Sequence, residues 1–529
     1  MSSSSNDSLI ADTLRSASSL MGLQVFSRIF TFILNQAMFR LAPPRAYGTA
    51  AIQFELLLST ILFLSREGVR NALLRRSKPT SPAQQNLAIL PILLGAPLAL
   101  ISAGLYAHFA GAEVRGQAYF TISIGVYAVA ALLELISEPM HNLAMAGLQT
   151  GVRVRAEGFG ITSKTVVTFI VLVYDARRVG GGDGALALLA FAGGQLAYGA
   201  GVLLTYIAAY GTRPLWPQRL ASLKTPYFDP ETLRLSLTMT SQSVLKHFLT
   251  EGDKLILSWF SPLQDQGGYA VAVNYGSLVA RMVFQPIEEA ARGFFSKILS
   301  STSKKDSSDY AALQQAATAL VSLLSLQAAF SVVLLVFGTA YVPIFLNILL
   351  PRQYLVTSAP QVLAAWVWYI PVLAFNGGLE AFLSSVATPN DLNAQSRWMA
   401  AFSVVYIFAA ISFFRLHLGD AALVYANILN LSVRIVYTAS FTTSFFARRG
   451  ARNLLHWRSV IPGTPFLAIA TASAVGIRVS SVVFKIETAG KMTLPVLFHV
   501  GVGGAMGLAT IGVWWLTAGR HLALPRVKS

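Results

Sequence analysis

Apolar runs of about the 20 residues that carry a helix across a bilayer recur from one end of the chain to the other. Short polar connections separate them. Read with a 3.6-residue period, they predict fourteen membrane-spanning helices. Their approximate limits are 18–42, 48–74, 86–110, 118–138, 157–174, 184–210, 237–260, 268–296, 311–338, 360–387, 397–414, 420–446, 459–481 and 493–517. The stretch GTAYVPIFLNILLPRQYLV (338–356) reads either as a luminal hairpin or as part of a neighbouring span.

Polar residues inside these runs fall into stripes. In SLVARMVFQPIEEAARGFFSKIL (277–299), Arg281, Gln285, Glu288, Glu289 and Arg292 share one helix face, and Val279, Met282, Val283, Ile287 and Phe294 take the other. The first span carries Gln24, Arg28, Thr31 and Asn35 on one face, and the second carries Glu55, Ser59, Arg66 and Arg70 with Glu67 beside them. The seventh carries Gln242, Lys246, Thr250 and Asp253, flanked by Glu251 and Lys254. The tenth carries Asn376, Glu380 and Ser384, and the twelfth Asn427, Asn430 and Arg434. A charge near the bilayer centre costs at least about 3 kcal/mol on insertion scales, so such residues face a bundle interior or a water-filled cavity.

Composition excludes a soluble chain: 54% of residues are hydrophobic and 12% charged, against about 25% charged in a soluble domain. There is no cysteine, which removes disulfides, thiolate chemistry and sulfur metal sites. No cleavable signal peptide is evident in MSSSSNDSLIADTLRSASSL, so the first span is expected to act as the membrane address. The net charge of +17 would suggest nucleic acid in a soluble protein. Here the connections account for it: 22 Lys and Arg lie on the side that holds both termini and 9 on the other. The positive-inside rule places both termini in the cytoplasm, and no nucleic-acid partner is expected.

The chain also repeats itself. Shifted by 222 residues, AYGTAAIQFELLLSTILFLSREGVR (46–70) falls on GYAVAVNYGSLVARMVFQPIEEAAR (268–292), pairing Tyr47 with Tyr269, Glu67 with Glu289 and Arg70 with Arg292. Shifted by 242, Glu138 meets Glu380, and the extra 20 residues sit near 338–356. This predicts two six-helix lobes in the same topology, an architecture in which a transporter's substrate path runs between the halves. The divisions are an N-terminal lobe at 1–212, a cytoplasmic linker at 213–236, a C-terminal lobe at 237–447 and two added helices with a tail at 448–529. The fold expected is an all-α polytopic membrane protein whose lobes surround a central polar cavity.

Glu67–Arg70, Glu288–Arg292 and Glu251–Lys254 are spaced for ion pairs along one helix. Arg28, Lys246, Arg281 and Arg434 have no opposite charge at i±3 or i±4. Cations of that kind in a cavity suit an anionic ligand, and arginine grips phosphate bidentately. Neither GxxxxGK[ST] nor HExxH occurs, which argues against an ATP-driven pump or a zinc protease. His141, His247 and His417 read as ordinary polar or helix-end histidines. No cofactor, metal or enzymatic activity is expected.

SVLKHFLTEGDKLIL, GSLVARMVFQPIEEAARGFFSKIL, LFLSREGVRNALLR, LLELISEPMHNLA, FNGGLEAF and YANILNLSVRIVY resemble the Rft1 family, in order and over nearly the whole chain. That family is similar in fold to the multidrug/oligosaccharidyl-lipid/polysaccharide flippases. The resemblance implies an endoplasmic reticulum membrane protein of N-glycosylation acting on dolichol-pyrophosphate-linked Man5GlcNAc2. It implies substrate-binding roles for Arg28, Asn35, Arg66, Arg70, Lys246, Arg281, Gln285, Asn427, Asn430 and Arg434. Glu67, Glu251, Asp253, Glu288, Glu289 and Glu380 are candidates for ion coupling or salt bridges, and Glu134 and Glu138 match the family pattern. Two functions fit: a flippase working by alternating access, or a non-transporting accessory protein that presents the lipid-linked oligosaccharide to luminal enzymes.

Overall fold

A computed structural model describes residues 32–74, 82–147, 149–178, 184–218, 226–300, 307–486 and 493–517. The described residues are helical, without a strand, and eleven helices among them are long and apolar enough to cross a membrane. By contacts the chain forms two compact units, Met1–Ser258 and Trp259–Ser529.

In the first unit, α1 covers 32–41. A short helix begins at Pro44, where the fixed φ and missing N–H of proline suit a first turn. It passes through a π-helical turn, Thr49–Phe54, into α2, Glu55–Leu74. Next come α3 (Leu90–Phe109), α4 (Phe120–Ile136), α5 (Glu138–Ala146), α6 (Thr150–Arg177) and α7 (Ala187–Tyr210). α7 packs along α6 and α4. Small residues permit the approach: a Cβ on Gly194 of α7 would lie 2.0 Å from the Thr168 hydroxyl of α6. α8, Pro230–Thr250, opens on an Asp229 cap that accepts the Thr232 N–H at 3.0 Å and packs along α2. There a Cβ on Gly68 would meet the Thr240 hydroxyl at 1.9 Å, and His247 stacks on Phe63 and bonds Thr60 at 2.9 Å. The segment expected as span 7 is two helices: α8 ends at Thr250, and α9 (Gly252–Phe260) starts beyond Glu251.

In the second unit, α10 (Leu263–Val279), a π-helical turn (Ala280–Phe284) and α11 (Gln285–Ser300) follow without a break. α12 (Ser307–Val333) runs through another π turn, Leu334–Gly338, into α13, Thr339–Leu349. Most of 338–356 therefore prolongs a span rather than forming a hairpin, and Pro343 is tolerated within it. α14 (Ala359–Val386), α15 (Pro389–Arg415) and α16 (Ala421–Arg448) complete the packed set, followed by α17 (Thr464–Val483) and α18 (Leu494–Thr517). α14 lies against α16, α10 and α11. An aromatic core of Phe295, Phe382, Phe445 and Phe446 holds α11, α14 and α16 together.

Candidate functional site

The charged stripe of α2 meets two acids from the α4–α5 joint. Arg70 donates from Nε to Glu138 at 2.7 Å and from Nη2 to its other oxygen at 2.5 Å. Arg66 donates to the same carboxylate at 3.3 Å and lies 3.6 Å from Glu134. Glu138 is fully buried, so the bidentate pair satisfies a carboxylate that would otherwise be stranded in an apolar interior. Gln195 of α7 donates to Glu134 at 2.9 Å. Glu67 turns away from Arg70 and accepts from Asn71 at 3.1 Å.

Two cavities open beside this network. One, of about 350 Å³, is lined by Glu55, Ser59, Arg66, Glu134, Lys164 and Gln195 among others. The other, of about 270 Å³, adds Arg70, His141, Arg153 and Tyr206. Arg66, Glu67, Glu134 and Tyr198 line both. His141 hydrogen-bonds the Tyr206 hydroxyl at 3.0 Å, which places an ordinary-looking histidine on a cavity wall. These walls offer cations for an anion and amide, hydroxyl and carboxylate groups for a sugar.

The second unit carries a sparser polar cluster. Arg434 of α16 donates through Nε to Glu380 of α14 at 3.2 Å and through Nη2 to the same oxygen. Arg434 lacks a partner along its own helix but has one across the helix interface. The Glu288 carboxylate lies where Gly377 leaves room; a Cβ there would be 1.7 Å from its Oε1. Asn376 is 4% exposed, and its Oδ1 has no hydrogen-bond partner among the described residues. Gln285 donates to Glu289 at 3.4 Å, and Arg281 donates to the Asn274 carbonyl at 3.2 Å. The π turn carries Arg281 and immediately precedes Gln285, and Arg281, Gln285 and Glu289 are exposed on the unit's surface. Asn427 and Asn430 are half-buried on α16.

Of the remaining expected residues, Asn35 is half-buried on α1, and Glu251 pairs with Lys254 at 2.8 Å beside Asp253 at the α8–α9 break. Arg28 and the side chain of Lys246 lie outside the described residues. Lys164, Gln195 and Tyr198 were not among the expected site residues. Gln195 stands in a largely apolar span, and Lys164 sits among Thr162, Ser163 and Thr165, with Glu157 and Thr168 on its own face; their signal is depth in the span.

A model of the Rft protein family (Rft-1) matches residues 12–522. The chain is 34% identical to the Man(5)GlcNAc(2)-PP-dolichol translocation protein RFT1 of Yarrowia lipolytica, over 89% of this chain and 76% of that protein. It is 30% identical to the protein of that name from Saccharomyces cerevisiae, over 84% of each, and 28% identical to that of Xenopus tropicalis, over 95% and 94%. Among solved structures, the lipid II flippase MurJ in an inward closed conformation aligns with TM-score 0.58 at 12% identity, over 93% of this chain and 99% of its own. An inward-facing multidrug resistance transporter of the MATE family aligns with TM-score 0.52 at 13% identity, over 78% and 94%. At these identities the structural likeness shows the fold.

Proposed function

The chain belongs to the Rft-1 family of Rft proteins, and on that premise we propose that it moves Man5GlcNAc2-PP-dolichol from the cytoplasmic to the luminal leaflet of the endoplasmic reticulum membrane. The observation that carries this reading is the cavity of the first unit, whose wall holds Arg66 beside buried carboxylates and whose remaining groups suit a glycan. A dolichol-linked oligosaccharide presents a pyrophosphate, a polar sugar chain and a long apolar tail. Cationic side chains meet the pyrophosphate, Gln195, Tyr198 and Ser59 meet sugar hydroxyls, and the tail stays in the bilayer.

Arg281, Gln285, Asn427, Asn430 and Arg434 extend the substrate path into the second half of the chain. The two halves rock about the bound headgroup to expose it to each leaflet in turn. The excess of Lys and Arg in the connections supports a cytoplasmic position for both termini.

The test is reconstitution. Purified protein and Man5GlcNAc2-PP-dolichol are placed in sealed vesicles, and the fraction accessible to a glycan-binding probe on the outer face is followed in time. Exchange faster than in protein-free vesicles, and lost in Arg281→Ala at equal incorporation, is expected. Exchange at the protein-free rate would replace transport with the accessory reading, in which the same surfaces bind and present the lipid.

A further inference from the structure

We infer that Lys164 is the side chain in the first unit that grips a phosphate oxygen of a lipid-linked pyrophosphate. The inference rests on the proposed transport function and adds which group meets the anion.

Lys164 sits near the midpoint of the 28-residue helix α6, about 20 Å from either end at 1.5 Å per residue. A lysine at that depth costs about 2.5–3.5 kcal/mol on insertion scales, and it is tolerated where it faces a polar cavity. Lys164 faces one, the cavity of about 350 Å³ that Arg66 also lines.

The other cations of the network are already committed. Arg70 is bidentate on Glu138, and Arg66 is shared between Glu138 and Glu134. Lys164 makes no hydrogen bond or ion pair through its ammonium with any described residue. Had it served only to neutralise Glu55 or Glu134, which line the same cavity, an ion pair with one of them would be expected. Glu134 is held directly by Gln195 and Arg66, and Lys164 acts on it only through space.

The backbone beneath Lys164 is fixed. Its carbonyl would lie 2.9 Å from a Cβ on Gly194, so α6 and α7 are in close contact at this level. A compact ammonium with three donors, on a flexible stem over a rigid helix, suits the oxygens of a phosphate chain. Arg66 is shared between Glu138 and Glu134, so Lys164 is the cation on this wall that no carboxylate among the described residues holds by direct contact. Losing the lysine leaves the wall, which also carries Glu55 and Glu67, without a cation that can turn to an anion.

Full-length protein in phosphatidylcholine nanodiscs is titrated with farnesyl pyrophosphate, with inorganic pyrophosphate and with diacetylchitobiose. A separate set of nanodiscs contains phosphatidylserine. Lys164→Gln is expected to bind farnesyl pyrophosphate at least about tenfold more weakly than the unaltered protein, as the loss of one charge-assisted hydrogen bond dictates. Lys164→Arg should stay within about threefold, and diacetylchitobiose binding should not change. In the unaltered protein, farnesyl pyrophosphate but not farnesol should slow acylation of Lys164 read by mass spectrometry. That measurement stands even where Lys164→Gln fails to fold.

Protection by phosphatidylserine or inorganic pyrophosphate alone would overturn a lipid-linked pyrophosphate as the ligand. Unchanged affinity in Lys164→Gln, or an unprotected Lys164 in protein that binds the probe, would overturn the role of the lysine and leave the transport reading standing. Absence of any binding of farnesyl pyrophosphate to the unaltered protein would count against both.

Discussion

At the scale of single residues, sequence spacing located the charges and found the Glu251–Lys254 pair, but missed the partners of Arg70 and Arg434. Arg70 was expected beside Glu67 and is held by Glu138, 68 positions away; Arg434, with no partner along its helix, is held by Glu380. The i±4 rule sees one helix face at a time, whereas a buried carboxylate takes whichever cation the neighbouring helix brings. Gly377 has a similar hidden role. α14 runs unbroken from Ala359 to Val386 through the adjacent Gly377 and Gly378, and Gly377 is the space that Glu288 occupies. The clash is with the far end of a flexible side chain that can swing aside, so Gly377→Ala is expected to cost about 1 kcal/mol, the low end of the range for overpacking. In a Glu288→Ala background the same substitution should cost almost nothing. A double-mutant cycle of thermal unfolding measures this coupling; additive losses would mean that Gly377 serves the helix and not Glu288.

At the scale of elements, hydropathy located the long helices of the described residues, because length and apolarity decide that outcome, though limits such as 157–174 and 397–414 fall short of Thr150–Arg177 and Pro389–Arg415 by several residues. What it could not foresee was continuity and interruption. The break at Glu251–Gly252 and the prolongation of α12 through Leu334–Gly338 into α13 depend on packing and backbone geometry rather than on mean apolarity. The ends of the helices are joined by polar knots, also invisible to a window. Ser358, just before α14, donates its N–H to Asp265 at 2.8 Å and its hydroxyl to Asp420 at 2.6 Å, linking the starts of α10, α14 and α16. Burial pushes the Asp420 carboxyl above its ordinary range, partly countered by the Ser358 hydroxyl. A folded pKa above the unfolded one gives stability that is full below the unfolded value and is lost as pH rises through the folded value. Over that window the unaltered protein should lose thermal stability with rising pH, and Asp420→Asn should flatten the slope. An identical pH profile in the variant would remove Asp420 as the source.

At the scale of the whole molecule, the repeat read from the sequence matches Glu138 with Glu380, and both carboxylates hold arginine. The halves nevertheless build the pair differently. The first uses two arginines from α2; in the second, the 222-residue register puts Glu288 at the position of Arg66, and the arginine comes from α16. A one-dimensional match finds the shared acid and cannot find the exchanged partner, so the fold was more legible than the site. The difference has a thermodynamic consequence. Glu138 is fully buried and serves two guanidinium groups, while the Glu380 side chain is 26% exposed and serves one. Removing one member of a buried pair costs about 3–5 kcal/mol because the other charge is left unpaired. Glu138→Gln should approach that loss, whereas Glu380→Gln should fall well short of it, since water and a flexible Arg434 relieve the stranded charge. The second defect should also be repairable: adding Arg434→Gln to Glu380→Gln restores neutrality across one contact. Adding Arg70→Gln to Glu138→Gln still leaves Arg66 beside the altered site. Thermal unfolding of the four variants in one detergent decides the matter, and equal losses with equal rescue in the two halves would mean that the repeat preserves energetics as well as position.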